Sequence, residues 1–314
     1  MARLYAIANQ KGGVGKSTTA VNVAAYLGAW GRKTLLVDLD PQGNATSGVG
    51  IAYDASRPNI YNVLIEGRPV EDAILETNAP NVDLLPSDIA LVGAEIELIG
   101  LPRRESRLLY ALDGLAEAYD YIFIDCPPSL GLLTLNALVA ARHLVVPIQC
   151  EFYALEGLGH LSYTVDLVRQ QSNPGLELAG IVMTLYDSRT TLSSQVVEEV
   201  RRTYPEVIFQ TLIPRNVRLS EAPSYGLPIG QYSPKSRGGV AYAELTRELM
   251  ARAERGMSAV GDRLVGPAGS QAITKDPGDG VQAADQDPAA IAAPATEENG
   301  PELGAEAPEG IIDG

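Results

Sequence analysis

"IANQKGGVGKSTTAVN", residues 7–22, carries the pattern that decides the fold. Gly12, Gly13 and Gly15 follow a short apolar run and precede a stretch of helical period. Glycines so placed let the backbone turn tightly with its N–H groups pointing inward, and the helix opening at Ser17 aims its positive end at the same spot. A polyphosphate fits that cradle. Lys16 is placed to neutralise β- and γ-phosphates, and the Ser17 hydroxyl to ligate Mg²⁺. One lysine is left over: Lys11 stands at the mouth of the loop, and Gln10 occupies the first glycine position of the standard G-x-x-x-x-G-K-[ST] pattern.

Outward from the loop, apolar runs bounded by turn residues alternate with helical stretches. The runs are "RLYAIAN" (3–9), "KTLLVDLD" (33–40), "VDLLPS" (82–87), "DYIFIDCPP" (120–128), "HLVVPIQ" (143–149), "LELAGIVMT" (176–184) and "VIFQTLIP" (207–214). Near-continuous Val, Ile and Leu marks strands covered on both faces. Between them lie "STTAVNVAAYLGAW", "RESRLLYALDGLAEAY", "LLTLNALVAA" and "TLSSQVVEEVRRTY". The alternation predicts an α/β fold, doubly wound, with a mainly parallel sheet and helices on both faces. One domain is expected over residues 1–257, closing with a helix over 239–256. Residues 258–314 lack aromatics and are rich in Ala, Gly, Pro, Asp and Glu, so a disordered tail is expected there.

Two acidic segments join the loop. "LLVDLDPQGN" ends its strand with Asp38 and Asp40, and Pro41 stops the ladder, so the acids emerge at the carboxyl edge of the sheet, where open α/β folds bind ligands. "YIFIDCPPS" leads four apolar residues to Asp125, the pattern of a Walker B acid linked to Mg²⁺. No N-K-x-D motif for guanine occurs, which disfavours GTP.

The net charge of −15 is unevenly spread. Residues 256–314 hold 11 acids and 2 bases, leaving 28 acids and 22 bases in residues 1–255. Within that body, residues 188–237 are locally basic, with seven Arg and Lys against four Glu. The global charge therefore does not exclude a nucleic-acid partner. Cys126 and Cys150 fit neither a C-x-x-C metal pair nor a disulfide framework. No run of eighteen apolar residues and no signal sequence is apparent, so a cytoplasmic chain without a membrane partner is expected.

The loop K-G-G-V-G-K-S is a deviant form, and it resembles that of the ParA/MinD family of ATPases. The segments "DPQGNATSG", "AEIEL", "DCPPSLGLLTLNAL", "QCEFYALEGL" and "PRNVRLSEAPS" resemble, more narrowly, the short chromosome-type ParA (Soj) group, over residues 2 to about 255. The resemblance implies ATP and Mg²⁺ as cofactors, with the nucleotide held by Lys11, Gly12, Gly13, Val14, Gly15, Lys16, Ser17 and Thr18. It makes Lys11 a lysine that crosses a two-fold interface to the nucleotide of a second copy. Asp40 then positions the attacking water, and Pro214 and Asn216 contact adenine. Arg189 and Arg218, both in the basic region, become DNA-binding residues. The implied function is a switch: ATP builds a sandwich homodimer, the dimer binds DNA without sequence preference, and hydrolysis dissolves it during chromosome or plasmid partition. The implied partner is a ParB-type centromere-binding protein and the implied location the nucleoid. A helix-turn-helix operator-binding region is not expected.

Three other functions fit less well. A MinD-like membrane ATPase needs a basic amphipathic C-terminal helix, and this sequence ends "APEGIIDG". A metabolic ligase with the same loop needs a further catalytic cluster, and an electron carrier needs cluster-ligating cysteines with a recognisable motif.

Overall fold

The computed structural model describes residues 1–151 and 154–255. Seven strands form one sheet: β1 (Arg3–Ile7), β2 (Thr34–Asp38), β3 (Leu75–Glu76), β4 (Val82–Leu85), β5 (Tyr121–Asp125), β6 (His143–Gln149) and β7 (Glu177–Thr184). The order across the sheet is β3-β4-β2-β5-β1-β6-β7, and every neighbouring pair is parallel except β3 with β4. The helices are α1 (Lys16–Ala29), α2 (Asn44–Gly48), α3 (Leu91–Glu97), α4 (Arg107–Leu112) and α5 (Leu132–Ala140). They continue with α6 (Ala154–Gln171), α7 (Thr191–Thr203), α8 (Val217–Glu221), α9 (Ile229–Tyr232) and α10 (Arg237–Glu254).

The strand pattern explains the two layers. Successive strand residues point to opposite faces, so Ala6, Leu35, Val37, Ile122 and Ile124 enter one core with Leu133 of α5, Leu161 of α6 and Val200 of α7. Tyr5, Ile7, Leu36, Tyr121 and Phe123 enter the other with Val23 and Leu27 of α1 and Tyr242 and Leu245 of α10. Both faces of the sheet are thus covered, as apolar runs without alternation require. The central strand β1 lies between β5 and β6, and the chain leaves it first toward β2 and later toward β7. That reversal opens a crevice at the carboxyl end of β1, directly above the glycine loop.

Six of the seven expected strands form. The seventh run, 207–214, forms no continuous ladder: it makes isolated bridges, Ile208 to Ile181 of β7 and Pro214 to Tyr186 just beyond it, and the Ile213 amide donates to the Met183 carbonyl at 2.9 Å. Its ladder is interrupted because the amides of Gln210 and Thr211 donate instead to the Glu248 carboxylate of α10, at 2.9 and 3.1 Å. The short strand β3, two residues long, carries no apolar run that the sequence pattern could mark. The helical stretch at 104–119 is shorter than its pattern suggests, since α4 passes at Asp113 into a single 3₁₀ turn containing Gly114. The expected tail, 258–314, lies outside the described residues.

Candidate nucleotide-binding site

The loop after β1 is built around backbone that only glycine adopts readily. Gly13 and Gly15 have φ of 73° and 88°, in the left-handed region. Asn9 fixes the start of the turn: its amide donates to the Pro147 carbonyl at 2.8 Å, and its side-chain oxygen accepts from the Lys11 amide at 3.0 Å. The far side is held by Thr184, at the end of β7, whose hydroxyl donates to the Val14 carbonyl at 2.8 Å. Gly15 leads directly into α1, so the unsatisfied amides of the first turn, at Lys16, Ser17 and Thr18, face the cradle.

The two lysines differ sharply. Lys16 is 6% exposed, its ammonium donates to the Lys11 carbonyl at 3.3 Å, and it lines the cleft. Burial lowers its pKa, opposed chiefly by the Asp125 carboxylate. Lys11 instead is exposed at the loop mouth, and its ammonium pairs with Glu151 at 2.5 Å.

The acids divide as well. Asp38 is fully buried and wholly engaged: it accepts from the Asp40 amide at 3.1 Å and from the Thr46 amide and hydroxyl, both at 2.7 Å. Burial pushes its carboxyl up to about 6, with the Thr46 hydrogen bonds opposing the rise. It is a brace for the turn into α2. Asp40, two residues on, lines the cleft, and its Oδ1 accepts from the Gln42 amide at 3.0 Å. Asp125 pairs in register with both Ile7 and Asp38, at the end of β5. It is fully buried and neither carboxylate oxygen has a hydrogen-bond partner. Burial, then the Asp38 charge, raises its pKa well above the usual carboxylate range, while the Ser17 hydroxyl and Lys16 oppose the shift. A carboxylate this deep, countered only in part by Lys16 and Ser17, is costly when ionised unless a further cation answers it, and with Ser17 beside it the donor set suits a hard, oxygen-loving ion. Among the described residues no cluster of three His, Cys, Asp or Glu could hold a metal by itself.

A cleft of about 680 Å³ joins these groups to the segment beyond β7. One wall carries Gly12, Gly13, Gly15, Lys16, Ser17, Thr18 and Asp40; the other carries Pro214, Asn216, Leu219 and Pro223. Pro214 is buried, and Asn216 caps α8 by accepting from the Arg218 amide at 2.9 Å. Thr184, Leu185 and Arg215 also line the cleft. Thr184 and Leu185 stand at a strand end that has no motif of its own, whereas Arg215 lies within the segment "PRNVRLSEAPS", between Pro214 and Asn216.

Arg189, on the loop after β7, and Arg218, in the short helix α8, sit on neighbouring segments, joined by the Tyr186–Pro214 bridge and by the Arg215 amide donating to the Tyr186 carbonyl at 2.9 Å. The Arg189 side chain is 83% exposed and pairs with Asp187 at 2.6 Å; that of Arg218 is 57% exposed and pairs with Glu221 at 2.8 Å. Cys126 and Cys150 are buried, and burial pushes the Cys150 thiol up to about 12. Among the described residues no helix is long and apolar enough to cross a membrane.

A strand, a glycine turn and a helix around a buried lysine, with a carboxylate at the neighbouring strand end, define a P-loop nucleoside triphosphatase. Residues 2–178 match the family described as "AAA domain". The chain is 53% identical over 250 residues to the chromosome partitioning protein ParA of Myxococcus xanthus, covering 80% of this chain and 88% of that protein. It is 51% identical over 251 residues to the sporulation initiation inhibitor protein Soj of Bacillus subtilis, covering 80% and 99%. A solved structure named cobyrinic acid a,c-diamide synthase from Mycobacterium smegmatis, with bound ADP and magnesium, is 40% identical with a TM-score of 0.72, covering 82% of this chain and 97% of that one. The chain belongs to the ParA/Soj family of chromosome-partitioning ATPases.

Proposed function

We propose that the chain is an ATP-driven, DNA-binding switch for chromosome or plasmid partition, working as a homodimer in the cytoplasm on the nucleoid with a ParB-type partner. The observation that carries this reading is the division of labour between the lysines: Lys16 is buried over its own cradle, while Lys11 points away from it to an exposed carboxylate. A lysine so placed is available to a nucleotide held by a second copy. Lys16 and the amides from Gly12 to Thr18 hold the triphosphate, and Pro214 and Asn216 flank the adenine. Mg²⁺ held by Ser17, with Asp125 behind it, supplies charge neutralisation on the phosphates. Asp40 orients the water, as a positioned carboxylate can. The amide-forming activity in the synthase's name has less support here, since the partition relatives are more similar and both thiols are buried.

Arg189 and Arg218 serve as phosphate contacts. Their present pairs with Asp187 and Glu221 lie on the exposed surface, where screening by water leaves them weak, so a phosphate displaces them at little cost. Two copies present four such arginines, for a slope of roughly −3 to −4 in log K against log salt, and one copy half of that. The test is ATP-dependent dimerisation and retention on DNA of arbitrary sequence, for the parent, Lys11→Ala, Arg189→Glu and Arg218→Glu. Lys11→Ala is expected to bind ATP and stay monomeric. The arginine variants are expected to dimerise and lose DNA. Equal DNA binding by the parent with and without ATP would overturn the switch.

A further inference from the structure

A second cavity, of about 590 Å³, shares no lining residue with the nucleotide cleft. Its walls come from the turn at Gly67 and from residues 102–111, two segments whose Val63, Leu64 and Leu108 enter the core layer of α5. Three arginines, Arg68, Arg103 and Arg107, line it together. Arg68 pairs with Asp72 at 3.4 Å, but among the described residues no carboxylate pairs with Arg103 or Arg107. Cations gathered around one cavity without enough carboxylates repel one another, even in a body with 28 acids to 22 bases, and a bound anion relieves that repulsion.

The backbone points to the same place. Among the described residues, three other than glycine have positive φ: Asn81, Leu185 and Arg103. Asparagine tolerates the left-handed region, whereas leucine and arginine are strained there. Leu185, at 53°, lines the nucleotide cleft, and Arg103, also at 53°, lines the second cavity. Strain of this kind persists only where the surroundings enforce it, and it collects at ligand sites. Here the buried Asn136 of α5 enforces it, donating to the Arg104 carbonyl at 2.7 Å and accepting from the Leu108 amide at 3.1 Å, while the Ser106 amide donates to the Arg103 carbonyl at 2.9 Å. The side chains are held as well. The Arg103 guanidinium lies over the Tyr110 ring at 5.0 Å, and Nε of Arg107 donates to the Leu64 carbonyl.

We infer that this cavity binds a small organic phosphate of the mononucleotide class, at a site separate from the ATP cleft. Arginine forks match phosphate oxygens in bidentate geometry, and two of them are already fixed by the Tyr110 ring and the Leu64 carbonyl. A planar base has the Pro102 and Tyr110 side chains and the guanidinium plane to lie against. The volume falls within the roughly 300–1,000 Å³ of small-ligand sites. Inorganic phosphate would leave the apolar walls at Val63, Pro102 and Ala111 unused. A nucleic-acid duplex fits less well, because its backbone is met by cations on a face that a double helix can reach, and these arginines line a cavity.

The experiment is isothermal titration of the full chain with GMP, which has no β- or γ-phosphate for Lys16 to hold, for the parent, Lys16→Ala, Arg103→Ala, Arg103→Gly and Arg103→Lys. The parent and Lys16→Ala are expected to take up one GMP per chain, with affinities within about twofold of each other. Arg103→Ala and Arg103→Gly should each weaken binding about tenfold or more, and Arg103→Lys, which keeps the charge and loses the fork, about threefold or more. Glycine adopts the left-handed backbone freely, so Arg103→Gly should withstand urea at least as well as Arg103→Ala and still fail to bind. ATP turnover by Arg103→Ala should match the parent. A parent that takes up no GMP overturns the inference. So does binding that Lys16→Ala loses and Arg103→Ala keeps, which belongs to the glycine-loop cleft, and so does inorganic phosphate that binds as tightly as GMP. Arg103 variants that keep GMP and lose retention on DNA would give the arginines to nucleic acid, and the inference again fails.

Discussion

The two walls of the nucleotide cleft are anchored by different kinds of bonding. On the phosphate side, every functional group hangs from the end of a central strand: the glycine loop from β1, Asp38 and Asp40 from β2, and Asp125 from β5, three strands in mutual parallel register. On the opposite side, residues 213–223 leave an edge whose ladder is broken at Gln210 and Thr211, and side chains hold it in place. Glu248 takes those two amides, Arg252 donates to the carbonyls of Val207 and Ile208, and Asn22 of α1 accepts from the Ile229 amide at 2.6 Å. A backbone ladder is cooperative and insensitive to single substitutions, whereas a side-chain clamp can be cut at one residue. The phosphate wall should therefore fail chemically, and the other wall mechanically.

The largest effect is expected where two acids of one wall are compared. Asp40→Ala should lower kcat by roughly 10²–10³, the scale of a positioned acid–base group, and change stability by less than about 1 kcal/mol. Asp38→Ala should do the reverse. It strips the partners from two amides and a hydroxyl in a fully buried site, for a loss of roughly 3–5 kcal/mol of stability. Single-turnover hydrolysis and urea melts of the two variants separate the roles. A stable Asp38→Ala with impaired turnover would move the catalytic role away from Asp40.

This contrast also marks what the sequence makes legible. The phosphate wall is local: Gly12, Gly13, Gly15, Lys16 and Ser17 lie within six residues, and the acids end recognisable apolar runs, so pattern alone locates them. What pattern cannot separate is Asp38 from Asp40, because the difference rests on Thr46, eight residues away and silent as a motif. The run 207–214 reads as a strand on its composition, yet Glu248, some forty residues later, diverts its amides. Long-range clamps of this kind leave no spacing to read. Pro214 and Asn216 are legible only through the family resemblance of their segment, and both line the cleft.

The intermediate effect lies in that clamp. Glu248→Ala leaves the Gln210 and Thr211 amides and the largely buried Arg252 without their carboxylate, a cost of roughly 2–4 kcal/mol. ATP affinity should fall as the adenine side loosens, with kcat at saturation held within about twofold, since the phosphate wall stands on its own strands. Isothermal titration with ATP and hydrolysis at saturating nucleotide check both halves. Unchanged affinity in a destabilised variant would show that residues 213–223 keep their place without Glu248.

The smallest effect is expected where the walls meet. Thr184 ends β7, and its hydroxyl donates to the Val14 carbonyl across 170 residues of sequence. Thr184→Val keeps the shape of the side chain and removes only that bond, so the loss is about 1–3 kcal/mol, the net value of one buried hydrogen bond plus the cost of an unpaired carbonyl. Because Val14 sits within the glycine turn, the loss should appear as ATP affinity about fivefold weaker or more rather than as slower chemistry. Thr184→Ser restores the donor and should recover most of the affinity. If Thr184→Val binds ATP as tightly as the parent, the two walls are mechanically independent, and the glycine turn is held from the β1 side alone, through Asn9 and the Pro147 carbonyl.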